Sequence, residues 1–251
     1  MNYTFSFFLA ASLALGAAAC ANPSESGQSA TMEKQEDSHG HGGQQHKHGH
    51  QHSHGEANAY MNQSDFEELA QRFESAERDE YQQPDKVLAY LGDVAGLSIM
   101  DIGAGTGYFS FRLANAGAKV IAADVDDRFQ EYIRQKRDSL GIGEDRLALR
   151  KLPYDSPELS PGEVDRVITV NTYHHFEDRP AYFAKVLAGL KPGGALYVID
   201  FFKEETPVGP PLEMKISAEK VVAELKAAGF AKVEVESSLL PYQYIVKAAT
   251  E

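Results

Sequence analysis

Cysteine is almost missing from this chain: Cys20 is the only one among 251 residues, so no internal disulfide can staple the fold. The core has to rest on apolar packing, for which 43% hydrophobic residues suffice. Basic charge is scarce as well. Lys plus Arg total 24 against 37 Asp plus Glu, a formal net charge of −13, which repels a polyanion such as nucleic acid unless a local basic patch overcomes it. Residues 21–60 have almost no large apolar side chains, and a Gly, Ser, Gln, Asn and His segment of this kind cannot bury enough surface to offset the entropy of ordering. The first twenty residues, MNYTFSFFLAASLALGAAAC, hold no charged side chain.

The apolar run from Phe5 to Ala19 is shorter than the roughly 20 residues of a spanning helix and ends in small residues, which predicts an export signal over residues 1–20. Cys20 directly follows Ala17-Ala18-Ala19. That position resembles the lipobox of bacterial lipoproteins, which implies lipid anchoring on a membrane, facing the periplasm or the exterior. Plain secretion is a second reading, and a start at Met32 or Met61 would leave the protein cytoplasmic. Residues 21–61 then form a disordered linker. It holds seven of the nine histidines: His39, His41, His46, His48, His50, His52 and His54. Such closely spaced imidazoles can hold zinc, nickel or copper; the plainer reading is a polar spacer.

From residue 62 onward, apolar periodicity returns. A capping box at Ser64 and Glu67 predicts a cover helix from about Asp65 into the seventies, and a second helix is expected from Pro84 to Leu91. Strands are expected at 97–102, 118–123, 147–152, 164–170 and 195–201, with helices at 108–116, 128–140 and 179–190 between them. This alternation argues a parallel, doubly wound α/β sheet. Ser217 should cap a further helix to about Ala228, and Val233–Glu236 with Tyr242–Val246 should close the chain as a hairpin.

The dinucleotide fingerprint is also missing. Counting from Gly103 the sixth residue is Tyr108, and from Gly105 it is Ser110, so neither frame gives G-x-G-x-x-G or G-x-G-x-x-A. What stands there is Asp101-x-Gly103-x-Gly105-x-Gly107, and Asp124 follows at the end of the next strand. The segment IMDIGAGTGY resembles motif I of class I S-adenosylmethionine-dependent methyltransferases, and IAADVD resembles their acidic second motif. NTYHHFEDRPAYFAKVLAGLKPGGALYVIDF is similar to the later strand-loop-helix-strand of the small-molecule group. RFESAERDEYQQPDKVL and LPYQYIV look like an uncharacterised bacterial subgroup.

The resemblance implies a Rossmann-like sandwich over residues 62–251, with a mostly parallel seven-stranded sheet and a C-terminal antiparallel hairpin. It also implies S-adenosyl-L-methionine as cofactor, held by Asp101, Gly103, Ala104, Gly105, Gly107, Asp124, Val125, Asp155 and Asn171. Gly103 and Gly105 would admit the methionine end, Asp101 would fix the loop and the amino group, and Asp124 would accept the ribose hydroxyls. The plainer role for Asp124 is a helix cap. Asp155 is the nearest acid after the third strand, where Leu152-Pro153-Tyr154 replaces the usual acidic residue. His174, His175 and Tyr173 lie where open α/β sheets bind ligands, and either histidine could take a proton from an acceptor. The sequence Asn171-Thr172-Tyr173-His174 is not the Asn/Asp-Pro-Pro-Tyr/Phe motif of amino-methylating nucleic-acid enzymes; together with the net charge of −13 this favours a small molecule as the acceptor, with a protein side chain as the second reading. The competing expectation is an exported, non-catalytic or metal-binding lipoprotein that has kept the fold.

Overall fold

The computed structural model describes residues 64–251, in which seven strands form one sheet. The strands are β1 (Ser98–Ile102), β2 (Lys119–Asp124), β3 (Leu147–Lys151), β4 (Val164–Val170), β5 (Leu190–Phe201), β6 (Lys232–Glu236) and β7 (Gln243–Ala249). Their order is β3-β2-β1-β4-β5-β7-β6. Neighbours from β3 to β5 are parallel, and β7 is antiparallel to both β5 and β6. The chain turns back on itself between β1 and β4, the switch point outside which ligands of such sheets bind. The expectations for residues 1–20, Cys20 and His39 to His54 lie outside the described residues. Among the described residues no helix is long and apolar enough to cross a membrane, and no group of three or more His, Cys, Asp or Glu could hold a metal ion.

Among the described residues, seven α-helices accompany the sheet: α1 (Phe66–Phe73), α2 (Ala76–Gln82), α3 (Pro84–Leu91), α4 (Tyr108–Asn115), α5 (Asp127–Ser139), α6 (Arg179–Gly189) and α7 (Ala218–Ala227). Strand side chains alternate between two apolar layers. Ile99, Ile168, Tyr197 and Ile199 pack with Leu91 of α3, Leu113 of α4 and Ile133 of α5. Met100, Val167, Leu196 and Val198 pack with Phe183 of α6 and Leu225 of α7. Each fully buried Leu, Ile, Val or Phe contributes about 1.5–3 kcal/mol, which is how a fold without disulfides holds.

Three boundaries differ from the sequence expectation. The first helix ends at Phe73, and a separate α2 begins after Ser75. The cap of α1 is Asp65, not Ser64, because one carboxylate oxygen of Asp65 accepts from both Glu67 N at 2.9 Å and Glu68 N at 3.1 Å. β5 starts at Leu190, paired with Val164, and then bulges through Lys191–Gly194 before Ala195 pairs with Arg166. Residues 191–194, left between the expected helix 179–190 and the expected strand 195–201, thus form a bulge inside a longer strand. A Cβ on Gly194 would lie 2.8 Å from the Lys191 carbonyl oxygen, so only glycine fits this bend.

Candidate cofactor and methyl-transfer site

β1 leads straight into the glycine loop, which folds back on β2. Gly103 N and Ala104 N both donate to the Ala123 carbonyl, at 2.9 and 3.0 Å. Gly103 has φ +76°, and a Cβ there would stand 2.4 Å from Thr172 Cγ2, so the loop rests directly against the end of β4. Gly105 has φ +54°, and its N–H donates to Asp124 Oδ2 at 2.9 Å. The other Asp124 oxygen accepts from Asp126 N at 2.9 Å. Asp124 therefore does not cap α5. Asp126 does, accepting from Arg128 N at 2.8 Å.

Two carboxyls are buried at this loop. Asp101, on the α4 side of β1, accepts from the Ser110 hydroxyl at 2.6 Å. Burial pushes Asp101 up to about 6, opposed by the Ser110 bond and the Arg78 charge. Burial pushes Asp124 up to about 6 as well, opposed by the Asp126 and Gly105 N–H bonds. The Thr106 hydroxyl, buried in the same loop, has no hydrogen-bond partner. Close backbone approach, two buried acids and an unpartnered hydroxyl fit a polar ligand with a ribose and a cationic group.

The expected cover helix lies over this loop. A Cβ on Gly105 would meet Phe73 Cδ2 at 3.4 Å. Phe73 stacks on Phe129 of α5 at 5.7 Å, Phe66 meets the same ring at 5.2 Å, and Glu74 pairs with Lys136 at 2.6 Å. α2 is held at two points. Asp79 pairs with Arg112 at 3.1 Å and accepts from the Tyr108 hydroxyl. Gln82 enters a closed ring of carboxamides: Gln82 Nε2 donates to Gln243 Oε1 at 2.8 Å, Gln243 Nε2 to Asn171 Oδ1, and Asn171 Nδ2 to Gln82 Oε1 at 3.1 Å. Asn171, placed among the cofactor residues by its sequence position, thus spends one donor and one acceptor on the ring. It has φ +55°, a conformation asparagine tolerates better than most residues.

The aromatic residues near the loop are spoken for. The Tyr108 ring lies between the guanidinium groups of Arg78 at 3.9 Å and Arg112 at 3.8 Å. Tyr173 is buried in the α6–α7 layer, stacked on Phe183 at 4.9 Å, with its hydroxyl donating to Glu224 at 2.9 Å. Tyr173, expected among the catalytic residues, thus has its ring in the apolar core and its hydroxyl engaged by the half-buried Glu224. His174 has a partner that sequence reasoning missed. Its Nδ1 lies 3.1 Å from Oδ2 of the buried Asp200 at the end of β5. The His175 ring lies 4.4 Å from that of His174, and burial, reinforced by His174, pushes His175 down to about 3. His175 is thereby neutral across the ordinary range and a poor proton acceptor. Val125 packs beside the α6–α7 layer, and Asp155 is exposed, its carbonyl accepting from Lys185 Nζ at 2.7 Å.

Comparison with known proteins agrees with this geometry. Residues 99–194 match the family model of a methyltransferase domain. A Mycolicibacterium smegmatis protein named as a probable S-adenosylmethionine-dependent methyltransferase is 28% identical over 151 residues, 58% of this chain and 55% of that one. Demethylmenaquinone methyltransferase of Clavibacter sepedonicus is 33% identical over 138 residues, 51% of this chain and 52% of its own. The chain thus spans about half the length of these relatives. A methyltransferase structure from Aquifex aeolicus superimposes with a TM-score of 0.67 at 26% identity, over 75% of this chain and 100% of that one. Residues 99–194 thus resemble a methyltransferase domain, and the fold matches that of a solved S-adenosylmethionine-dependent methyltransferase.

Proposed function

We propose that this chain transfers a methyl group from S-adenosylmethionine to a small-molecule acceptor. The observation that carries the reading is the glycine loop folded against β2 with the Asp124 carboxylate at its centre, accepting from Gly105 N–H. In that position Asp124 would hold the ribose hydroxyls, while Gly103 and Gly105 leave room for the methionine end. When bound, the cofactor supplies a methyl on a sulfonium, a good leaving group, so the protein's part is alignment and exclusion of water. Phe73 and α1 cover the loop from the outside. Where the acceptor carries an O–H or N–H, His174 Nε2 takes the proton. Asp200 orients the ring through Nδ1 and stabilises the charge that results.

The test is production of S-adenosylhomocysteine from methyl-labelled S-adenosylmethionine, with a small-metabolite extract as acceptor source. Asp124→Ala should weaken cofactor binding by about 1.5–3 kcal/mol in a folded protein, the loss expected for charge-assisted hydrogen bonds. His174→Gln should leave that binding unchanged and slow turnover of a protic acceptor by about 10²- to 10⁴-fold. No labelled product with any extract would overturn the activity. Undiminished turnover in His174→Gln would return the His174–Asp200 pair to a structural role.

A further inference from the structure

Lys215 is a buried cation that the proposed chemistry does not use. It is 2% exposed, a setting in which lysine is rare unless it is paired. Its partners are neutral: Nζ donates to the Glu204 carbonyl at 2.8 Å and to the Thr206 hydroxyl, and it lies 5.5 Å from the centre of the Phe201 ring. Glu204, Glu205 and Glu213 belong to the same loop, and all three stay exposed. Burying an ammonium without a carboxylate is costly, and an apolar side chain would hold the loop without that cost. The loop also stands at the proposed site. It leaves the C-terminal end of β5 at Phe201, the residue after Asp200, which holds His174.

The two sides of this loop are held differently. Lys215 is on the anchored side: Lys203 Nζ donates to the Lys215 carbonyl at 2.9 Å, and the Tyr244 hydroxyl of β7 to the Ile216 carbonyl at 2.9 Å. Residues 204–209 form the other side. They meet the ammonium through Glu204 and Thr206 and lie on Phe201, where a Cβ on Gly209 would stand 2.7 Å from Cε1. Phe201 also meets the Tyr81 ring of α2 at 5.8 Å and is the register partner of Gln243 in the carboxamide ring. Lifting 204–209 would uncover Phe201 and leave the Lys215 ammonium in place with its donors free. A hydrogen bond to an ionised acceptor is roughly twice as strong as one to a neutral oxygen, so an anion would replace the two loop contacts at a gain. Resting on the methyl-transfer reading above, we propose that the acceptor carries an anionic group, a carboxylate or a phosphate monoester, and that Lys215 receives it as residues 204–209 lift from Phe201.

A small-metabolite extract is split on an anion-exchange resin, and each fraction is offered to the full-length chain with methyl-labelled S-adenosylmethionine. Label should enter the retained fraction and not the flow-through. Phosphatase treatment of the retained fraction separates the two sources: acceptor activity that disappears assigns the anion to a phosphate monoester, and activity that persists assigns it to a carboxylate. Lys215→Gln keeps a donor for the loop and loses the charge. It should raise the amount of retained fraction needed for half-maximal rate about 10- to 100-fold and change S-adenosylhomocysteine affinity no more than about twofold. Thr206→Ala removes a contact of the closed loop and keeps the cation, so the half-saturating amount should fall; this variant serves if the Gln variant does not fold. A lysine that only latches the loop would move both variants in the same direction, and that result, or a half-saturating amount that stays unchanged in folded Lys215→Gln or fails to fall in Thr206→Ala, overturns the assignment. Label in the flow-through alone leaves methyl transfer standing and removes this proposal; label in neither fraction removes both.

Discussion

Asp101 and Asp124 sit where ionisation is costly, and that cost has a sign. The ordinary value of each carboxyl is 3.8 and its value in the fold is about 6. A carboxyl raised on folding stabilises the fold in its protonated form, fully below about pH 4, and this contribution is lost as pH rises through about 6. Ligand-free Asp101→Asn keeps an acceptor for the Ser110 hydroxyl and carries no charge to desolvate. It should match the wild type near pH 4 and exceed it at pH 7 by on the order of 1–3 kcal/mol. Urea denaturation at the two pH values checks this, and a variant that gains nothing on going to pH 7 contradicts it. Stability given up at a site is what a binding role asks of such a residue. Asp124 was legible because it ends an apolar strand after a glycine loop. Arg78, Asp79 and Gln82 lay inside the quoted RFESAERDEYQQPDKVL segment, but nothing in that spacing said which of them faced the loop.

At the scale of elements, strands were legible wherever apolar runs end at glycine or an acid, as at β1 and β2. The break between α1 and α2 was not, because Glu74 and Ser75 are neither Gly nor Pro and the helical pattern runs on across them. The carboxamide ring was beyond reach for another reason: Gln82 and Gln243 are 161 residues apart, and only the sheet brings them together with Asn171. The ring ties α2 to the ends of β4 and β7, the junction on which the position of Arg78 depends. Gln243→Leu would leave buried amide groups of Gln82 and Asn171 unpaired, at about 1–3 kcal/mol. Denaturation should show that loss, and S-adenosylhomocysteine should bind more weakly as α2 loosens. Unchanged stability would mean that the ring is incidental.

For the whole molecule, the sequence pointed to a mostly parallel sheet closed by an antiparallel C-terminal pair, and the structure has it, with β7 inserted between β5 and β6. The charge excess of −13 and the glycine spacing argued against nucleic acid and dinucleotides. The identity of the proposed methyl acceptor lies in side-chain surroundings that no spacing encodes. The central claim is the cofactor, and it can be tested without knowing the acceptor. Calorimetric titration of the full-length chain with S-adenosylmethionine and, separately, with NAD should show saturable binding of the first and none of the second. Saturable binding of NAD with no heat from S-adenosylmethionine would contradict the account.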